Sequence, residues 1–588
     1  MCGIAGLMTL DGAPPDARIL DALSGALVHR GPDGVGRFVG PGIGLVQTRL
    51  AIIDLVTGDQ PLYGPEGTVA VVNGEIYNYV ELRERWKDAR YQTQSDCEMP
   101  LHAFARAGAG FARDLRGMYA AALYDPADAT IYLARDPFGI KPFYYAETPA
   151  GFVFASEPRA ILATGLVQRR LDLDKALELL QLQFTTGRET AVAGIARVLP
   201  GETLTVRQGR IVGRARIAAL PDGDPERISE DDALARLDAA LRDSVLVHQR
   251  SDVPYGMFLS GGVDSTARLA MMAELNDRPV RAYTAGFPES GAADERMHAA
   301  AVAEALGAEH VEIGVTEADF WRDLPRIAAA VDDPAADYAI VPTYALARRA
   351  AEDLKVVLCG EGGDELFAGY GRYRTVMRPR WLGGRSMRSK GQFDGLDVLR
   401  DPGFAWRDGV AALERTLMGA YGSTLQRAQA LDCADWLPND LLVKLDRCLM
   451  AHGLEGRTPF LDPAIAAASF RLPDKLKIEG RLGKMLLRKW LNKRLPMAGA
   501  FDRKRGFTVP VGEWIARQAK SLGPLVSRVE GVQRLCQPGR VEALFARADG
   551  AKEQVRIACW RLLYFALWHR IHIDGRDVAG DVRAQLEE

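Results

Sequence analysis

The chain has 588 residues, of which 48% are hydrophobic and 26% charged, and its formal net charge is −3. A single hydrophobic core rarely serves so long a chain, so we expect at least two domains. The small net charge excludes a general attraction to nucleic acid or to an anionic membrane. No apolar run is long enough to predict a membrane span, which takes about 18 residues or more.

The seven cysteines are scattered along the chain without CxxC spacing. This pattern argues against a disulfide framework and against a zinc site, and it favours a reducing, cytoplasmic location. No basic and apolar leader is evident, so we expect neither secretion by the ordinary route nor lipidation.

Cys2 follows the initiator methionine directly. One interpretation is a chance terminal cysteine without a role. The other is that removal of Met1 leaves one residue carrying both a thiol and a free α-amino group. Such a residue combines a base of pKa about 8 with a nucleophile of pKa about 8.5. The cysteine alone does not decide between the two.

Residues 1–205 are predicted to form a sheet-rich α/β or α+β domain. Short apolar stretches alternate with glycine, proline and aspartate, which is the pattern of strands and turns. Helical patterns occur around "ELRERW" and "EMPLHAFARAG". The predicted strands lie in "GIGLVQTRLAIIDL", "TVAVVNGEIYNYV", "GMYAAALYD", "ATIYLARD" and "GFVFASE".

A polar connection is predicted at 206–235 and a second domain at 236–588. In the second domain, apolar strands alternate with glycine turns and helices, as in "VPYGMFLSGG" and "KVVLCGEGG". Such alternation predicts a doubly wound parallel sheet with helices on both faces. Beyond about residue 400 the pattern is almost wholly helical.

The stretch "MFLSGGVDST" places a strand end, two glycines and a helix start in succession. Gly261 and Gly262 let backbone N–H groups approach an anion, and the helix adds its positive end. No GKS or GKT follows, so this is not a Walker A loop. A bare SGG turn is more often structural, but the full string after a buried strand predicts a pyrophosphate site.

A second glycine-rich turn, "LCGEGGDELFAGY", also follows an apolar strand. Ligands of open parallel sheets lie at the carboxyl ends of the strands, where this turn places Glu361, Asp364 and Glu365. Magnesium prefers a few carboxylates together with phosphate oxygens, so Asp264 and Asp364 could hold Mg-ATP. The alternative is an exposed acidic turn, but this interpretation does not explain why two glycines, Gly362 and Gly363, occur there.

Residues 372–390, "RYRTVMRPRWLGGRSMRSK", are basic, with aromatic residues interleaved. One interpretation is a site for phosphate or RNA. A solvated loop, whose charge ordinary salt screens, is the interpretation we expect.

Cys2 with "GIAG" is followed in order by "RGPDG", "RLAIIDL", "NGEIYNY", "SDCE", "RDPFGIKP", "SGGVDST", "GEGGDELFAGY" and "LDRCLMAHGLEGRTPFLD". Together these motifs resemble the glutamine-hydrolysing asparagine synthetase family over about residues 1–510. The resemblance implies an N-terminal-nucleophile glutaminase, an αββα sandwich, joined to an ATP-pyrophosphatase domain. It also implies that Cys2 is the nucleophile.

In the first domain, the resemblance implies that Cys2 attacks the side-chain amide of glutamine while its α-amino group moves the proton. Arg49 would bind the α-carboxylate and Asp96 the α-ammonium. Asn73 and the next backbone N–H would form the oxyanion hole. The implied glutamine-binding residues are Arg49, Ile53, Asn73, Gly74, Glu75 and Asp96.

In the second domain, Lys484 matches the catalytic lysine of the family, although alone it would read as part of a solvated helix face. Glu361 would lie near the acyl-adenylate, and Lys504 is a weaker phosphate candidate. An internal passage would carry ammonia, because ammonia released into water becomes mostly ammonium. The implied ATP-binding residues are Leu259, Ser260, Gly261, Gly262, Asp264, Ser265, Ala285, Cys359 and Gly360.

The resemblance favours aspartate as acceptor, with products asparagine, AMP and pyrophosphate. Relatives amidate other carboxylates such as sugar uronates, and "VDDPAADYAIVPTY" resembles a segment of members associated with surface-polysaccharide loci. Some relatives close a β-lactam, but Cys2, Arg49 and Asp96 argue for glutamine as nitrogen donor. A catalytically silent scaffold is a remote alternative. Only small-molecule partners are expected, and a homodimer by analogy.

Overall fold

The N-terminal part of the computed structural model consists of two antiparallel six-stranded sheets packed face to face. The structure describes residues 2–288, 295–502, 509–578 and 580–587. The first sheet has the strand order β10-β8-β9-β1-β3-β2 and the second β12-β11-β7-β6-β5-β4. The strands are β1 (Gly3–Thr9), β2 (Gly34–Gly40), β3 (Ile43–Arg49), β4 (Leu62–Tyr63), β5 (Val69–Ile76), β6 (Gly117–Asp125), β7 (Thr130–Arg135), β8 (Tyr144–Thr148), β9 (Gly151–Ala155), β10 (Ala196–Arg197), β11 (Glu202–Arg207) and β12 (Arg210–Arg216).

Helices cover the outer faces of both sheets, so this domain is the predicted αββα sandwich. Apolar side chains of the two inner faces form the core between the sheets, among them Ile4, Leu45, Val71 and Ala122. The five α-helices are α1 (Ala17–Leu27), α2 (Tyr79–Arg85), α3 (Met99–Ala107), α4 (Pro158–Ala163) and α5 (Leu173–Leu182). Short 3-10 helices span Val28–Arg30, Pro65–Gly67, Asp96–Glu98 and Gly108–Asp114.

Antiparallel pairing brings the start of β1 to the end of β3, since Gly3 pairs with Thr48. Cys2 therefore lies beside the carboxyl end of β3. Strand β5 belongs to the facing sheet and pairs with β6 through Asn73 and Gly74. Three motifs that are distant in sequence thus meet at one end of the sandwich.

The first domain extends beyond the predicted end at residue 205. Residues of β11 and β12 form a hairpin at the edge of the second sheet, so the first part of the predicted 206–235 connection is strand. β12 is polar because most of its side chains are exposed. An exposed edge strand lacks the apolar content by which strands are recognised in sequence.

The second domain contains a parallel sheet of order β15-β14-β13-β16-β17. The chain leaves central strand β13 in one direction and returns to its other side with β16. Such a reversal creates a crevice at the carboxyl ends of the strands, where ligands of open α/β sheets bind. The strands are β13 (Tyr255–Phe258), β14 (Arg281–Gly286), β15 (Glu309–Gly314), β16 (Val356–Leu358) and β17 (Glu455–Arg457).

Helices surround this sheet and form the C-terminal part. The first begins with a cap in which the side chain of Ser229 accepts from the backbone N–H of Asp232. The helices are α6 (Glu230–His248), α7 (Val263–Leu275), α8 (Arg296–Ala305), α9 (Glu317–Ala330), α10 (Ile340–Ala350), α11 (Gly363–Leu366), α12 (Gly371–Met377), α13 (Asp408–Leu417), α14 (Thr424–Leu431), α15 (Leu442–Met450), α16 (Pro463–Ser469), α17 (Asp474–Lys477), α18 (Met485–Arg494), α19 (Val511–Ser527), α20 (Glu530–Leu535), α21 (Pro538–Ala546), α22 (Glu553–Trp568) and α23 (Val582–Glu587). The 3-10 helices Arg380–Leu382 and Pro496–Ala498 and the π-helices Asp432–Leu441 and His569–Ile573 complete the set.

The two domains share one hydrophobic core. Leu20 and Leu177 of the first domain belong to the same buried cluster as Phe320 and Trp560 of the second. The two domains therefore pack directly against each other. Side chains at their interface can connect the site of one domain with the site of the other. Every helix within the described ranges is too short or too polar to cross a bilayer.

Candidate active sites

Cys2 is buried at the start of β1, and its polar neighbours come from β3, β5 and the 3-10 helix Val28–Arg30. Its backbone nitrogen donates to Oδ1 of Asn73 at 3.1 Å. Arg30 Nε donates to the Cys2 carbonyl oxygen at 3.2 Å. Burial raises the pKa of the Cys2 thiol, while the adjacent Leu50 backbone and Gln47 side chain act in the opposite direction. Polar groups near the sulfur therefore favour a thiolate.

Of the two polar atoms of the Asn73 side-chain amide, Oδ1 has a hydrogen-bond partner and Nδ2 has none among the described residues. Because Oδ1 faces the Cys2 nitrogen, Nδ2 points elsewhere, and it is buried without a hydrogen-bond partner among the described residues. An unpaired buried donor costs about 1–3 kcal/mol. A ligand oxygen bound beside Cys2 could pair with it, as an oxyanion hole requires.

Gly74 follows Asn73 where β5 and β6 run close together. A Cβ atom at this position would lie 2.0 Å from the carbonyl oxygen of Met118 on β6. Any side chain would therefore push the strands apart and displace Asn73. The glycine is required by this close approach, and its backbone stays next to the Cys2 pocket.

Arg49 and Asp96 lie at the carboxyl end of β3 and in the 3-10 helix Asp96–Glu98. Arg49 is bonded to the Asp59 carboxylate at 2.6 Å and to the Asp54 carbonyl oxygen. Asp96 accepts from the backbone N–H of Ile76 at 2.7 Å, and burial raises its pKa to about 6. Ile53 is half-buried in the loop after β3. A ligand carboxylate at Arg49 would have to share the guanidinium with Asp59.

Glu75 connects this pocket to the second domain. Its Oε2 lies 3.2 Å from Nη2 of Arg457, which is on β17 of the parallel sheet. Both side chains are buried, and burial raises the pKa of Glu75 well above its usual value even with the guanidinium adjacent. Arg457 also donates to Glu455 Oε1 and to the carbonyl oxygens of His248 and Arg250. This buried arginine therefore joins the second domain to the first beside the Cys2 pocket.

Replacing Arg457 by methionine should destabilise the protein by about 3–5 kcal/mol, because it leaves a buried carboxylate without its counter-charge. Urea unfolding measures the effect, and Arg415→Met on exposed α13 is the matched control. The double variant Glu455→Gln with Arg457→Met should recover part of the loss, since the carboxylate that accepts from Arg457 Nε is then replaced by a neutral amide. Equal stability of the Arg457 variant and the control would contradict this account.

The second site is a cavity of about 380 Å³ at the carboxyl ends of β13, β14 and β16. We call it the ATP cavity after the nucleotide site that the sequence predicts there. All nine predicted nucleotide residues line it, and so do Glu361, Asp364 and Lys484. The predicted residues in its wall are Leu259, Ser260, Gly261, Gly262, Asp264, Ser265, Ala285, Cys359, Gly360, Glu361, Asp364 and Lys484.

The loop after β13 is held open by its two serines. The Ser260 backbone nitrogen donates to Oγ of Ser265 at 3.2 Å, and Ser265 Oγ lies 3.1 Å from the carbonyl oxygen of Gly262. Gly261 has a φ of +69°, a conformation that favours glycine. Helix α7 begins at Val263, so its positive end faces the loop. This geometry suits a pyrophosphate group.

Lys484 bridges the two predicted metal carboxylates. Its Nζ contacts Asp264 and lies 2.7 Å from Oδ1 of Asp364. The lysine is only 5% exposed, and the two carboxylates raise its pKa against the effect of burial. A Cβ atom at Gly369 would lie 2.2 Å from Cε of Lys484. The pattern of a solvated helix face therefore does not apply to this lysine.

The carboxylates of Asp264 and Asp364 also suit a divalent cation. Asp264 Oδ1 is buried without a hydrogen-bond partner among the described residues, and Asp364 lies on the same Lys484 ammonium group. Two carboxylates at a phosphate loop are typical magnesium ligands. No group of three or more His, Cys, Asp or Glu residues with metal-site geometry occurs within the described ranges, so phosphate oxygens would have to complete the shell.

Arg268 lines the ATP cavity but was not predicted from the sequence. It is 1% exposed, and its Nη2 donates to the Phe258 carbonyl oxygen at 2.8 Å. Nε and Nη1 are buried without partners in the described part of the chain. The available signal was its position one turn after Asp264 on α7, which places it on the same helix face. Lys504 lies outside the described residues.

Two known protein families match separate parts of the chain. The glutamine amidotransferase domain family matches residues 1–215, and the asparagine synthase family matches residues 236–570. Asparagine synthetase [glutamine-hydrolyzing] 1 of Bacillus subtilis is 31% identical over 100% of this chain and 99% of its own. A putative asparagine synthetase of Mycobacterium bovis is 33% identical over 98% of both chains, and asparagine synthetase B of Escherichia coli is 28% identical over 88% of this chain and 83% of its own. The chain therefore belongs to the asparagine synthase family, and it is an ATP-dependent carbon–nitrogen ligase that takes its nitrogen from glutamine.

Proposed function

We propose that this protein is a glutamine-dependent asparagine synthetase that converts aspartate to asparagine. The observation that carries the proposal is that Cys2, with the unpaired amide nitrogen of Asn73 beside it, lies in a domain that shares a hydrophobic core with the domain of the ATP cavity. The relatives named above as asparagine synthetases span the whole chain, which supports aspartate as acceptor.

In the first site, Cys2 would become the N-terminal residue when Met1 is removed. Its α-amino group, held at Oδ1 of Asn73, would take the thiol proton and pass it to the leaving ammonia. The sulfur would attack the glutamine side-chain amide to form a thioester, with the developing oxyanion bonded to Asn73 Nδ2 and the Gly74 N–H. Water would then release glutamate. Arg49 and Asp96 would hold the two ends of the amino acid.

In the second site, the Ser260–Ser265 loop would hold the β- and γ-phosphates of ATP. The acceptor carboxylate would attack the α-phosphorus and pyrophosphate would leave, which yields an acyl-adenylate near Glu361. Lys484 would stabilise the charge that develops in this step. Ammonia would then attack the acyl carbon and AMP would leave. Asp264 and Asp364 would hold a magnesium ion, whose chemistry is to neutralise phosphate charge.

Strand β17 is the proposed route between the two sites. The carbonyl oxygen of Arg457 accepts from the backbone N–H of Cys359 at 2.7 Å, and Cys359 lines the ATP cavity. The side chain of the same arginine contacts Glu75 in the glutamine pocket. Arg457 thus contacts the first site through its side chain and the second site through its backbone. We propose that ammonia passes along this strand.

The acceptor is tested by measuring pyrophosphate release with ATP and glutamine. Aspartate is assayed first, followed by a panel of carboxylates that includes sugar uronates. Release that requires aspartate, with asparagine as product, is the expected result. If aspartate gives no signal and another acid does, the protein is an amidotransferase for that acid. The segment at 331–344 is the sequence feature that favours this second candidate.

Glutamine use should depend on the ionisation of Asp96. Its pKa is raised to about 6, and only the carboxylate can hold the α-ammonium of glutamine. The kcat/KM for glutamate release should therefore be constant above about pH 6 and fall about tenfold per pH unit below it. Asp96→Asn should raise the KM and abolish this dependence. A wild-type profile that stays flat well below the Asp96 pKa would contradict the assignment.

A further inference from the structure

A second and larger cavity lies outside both sites described above. It measures about 580 Å³, and none of the residues that line it lines the ATP cavity. Its walls come from α5 of the first domain and from α12, the loop after it, the π-helix Asp432–Leu441 and α22 of the second. Five cationic side chains line it, and we call it the basic cavity. They are Arg372, Arg385, Arg388, Lys390 and Arg561.

Two of these cations are fixed in place by one buried carboxylate. Arg372 donates to Oδ2 of Asp432 at 2.7 and 2.9 Å, and Arg388 donates to Oδ1 at 2.9 Å. The Arg388 guanidinium also lies 4.1 Å from the ring centroid of Trp436. Because two guanidinium groups share one carboxylate, a positive charge remains in a preorganised position.

Arg561 provides an independent observation, since it is only 8% exposed. Its Nη1 donates to the Leu180 carbonyl oxygen at 2.8 Å and its Nη2 to Gln183 Oε1 at 3.2 Å. Nε is buried without a partner among the described residues. Burial lowers the pKa of this guanidinium to about 9, and the carboxylate of Asp440 offsets the effect only in part. A buried cation with an unused donor can take a further hydrogen-bond acceptor.

The mouth of the cavity is also positive. Arg385 and Lys390 are exposed, and neither makes an ion pair within the described part of the chain. Asp394 is the acidic residue of the lining, and the buried carboxyl groups of Asp432, Asp435 and Asp440 lie behind it, so the five cations exceed the nearby acidic groups by one. This excess would attract a multiply charged anion and guide it to the fixed arginines.

We propose that the basic cavity binds a small organic phosphate at a site distinct from the ATP cavity. A phosphate monoester carries a charge of about −1.5 to −2 at neutral pH and accepts paired bonds from guanidinium groups. The volume falls within the range of about 300–1,000 Å³ that is typical of metabolite sites. Leu182, Val376 and Met387 supply apolar wall for the organic part. The basic segment 372–390 thus folds around a binding site and is not only a solvated loop.

Isothermal titration calorimetry on the full chain tests this proposal. A non-hydrolysable ATP analogue with magnesium first saturates the ATP cavity, and glucose 6-phosphate, uridine monophosphate and inorganic phosphate are then titrated in turn. We expect at least one organic phosphate to bind with a Kd below about 1 mM. The two esters distinguish a sugar phosphate from a nucleotide as the natural ligand.

Variants locate the binding. The rim variant Arg385→Gln with Lys390→Gln and the floor variant Arg388→Gln should each weaken it tenfold or more. Arg374→Gln lies in the same basic segment but does not line the cavity, so it should leave the Kd unchanged. The rim residues are exposed, and their replacement should not disturb folding. Absence of binding by both esters, binding of inorganic phosphate alone, or a Kd equal in rim variant and control would each overturn the proposal.

Discussion

Cys2→Ala should abolish glutamine-driven synthesis and leave synthesis from added ammonium within about twofold of wild type. The variant removes the sulfur that would form the thioester, and losing a nucleophile costs about 10³-fold or more in rate. The ATP cavity draws none of its lining from β1, so adenylation should continue. Glutamate release and pyrophosphate release, each measured with glutamine and with ammonium chloride, separate the two half-reactions.

Cys536→Ala is the matched control, because Cys536 is also buried but follows α20 in the helical C-terminal part. It should retain both activities. If Cys2→Ala loses ammonium-driven turnover as well, while the control does not, the proposed division of labour between the domains is wrong.

Lys484→Met should reduce pyrophosphate release by about 10²–10³-fold, with glutamine or with ammonium as nitrogen source. The substitution removes the cation between Asp264 and Asp364 and leaves two carboxylates facing each other at the phosphate loop. Their repulsion should also weaken ATP binding. Glutamate release by the first domain should persist, because no residue of the Cys2 pocket contacts Lys484 in the described structure.

Lys489→Gln, on the same helix α18, provides the control. Lys489 pairs with Glu230 at the surface, and such pairs contribute little. Both activities of this variant should match wild type. Near-normal pyrophosphate release by Lys484→Met would remove the lysine from the adenylation step.

The positions predicted from sequence are those where a short motif follows an apolar strand. Ser260 to Ser265 and Glu361 to Asp364 were predicted this way, because a strand end with glycines is readable without tertiary information, whereas Cys359 and Gly360 came from the family resemblance. The structure brings both motifs into the lining of one cavity. The meeting of Cys2 with Asn73 could be predicted only from the family resemblance, since pairing across two sheets leaves no local signal.

Other features depend on contacts between distant segments. β17 has only three residues within a helical region, so its sequence gives no strand pattern. In the sequence, Arg457 and Arg268 resemble ordinary helix-flanking or surface arginines. Only the three-dimensional structure shows that both are buried. The basic segment 372–390 was expected to be a solvated loop, because its sequence does not reveal that Arg561 and Trp436 close a cavity against it. Long-range packing decides each of these cases.

The central claim is that Cys2, exposed as the N-terminal residue, attacks glutamine. Fully active enzyme can be inactivated with an electrophilic glutamine analogue, digested and analysed by peptide mass spectrometry. The account predicts that the N-terminal peptide begins at Cys2 and carries the adduct on that residue. An N-terminal peptide that retains Met1, or an adduct on another cysteine, would contradict it.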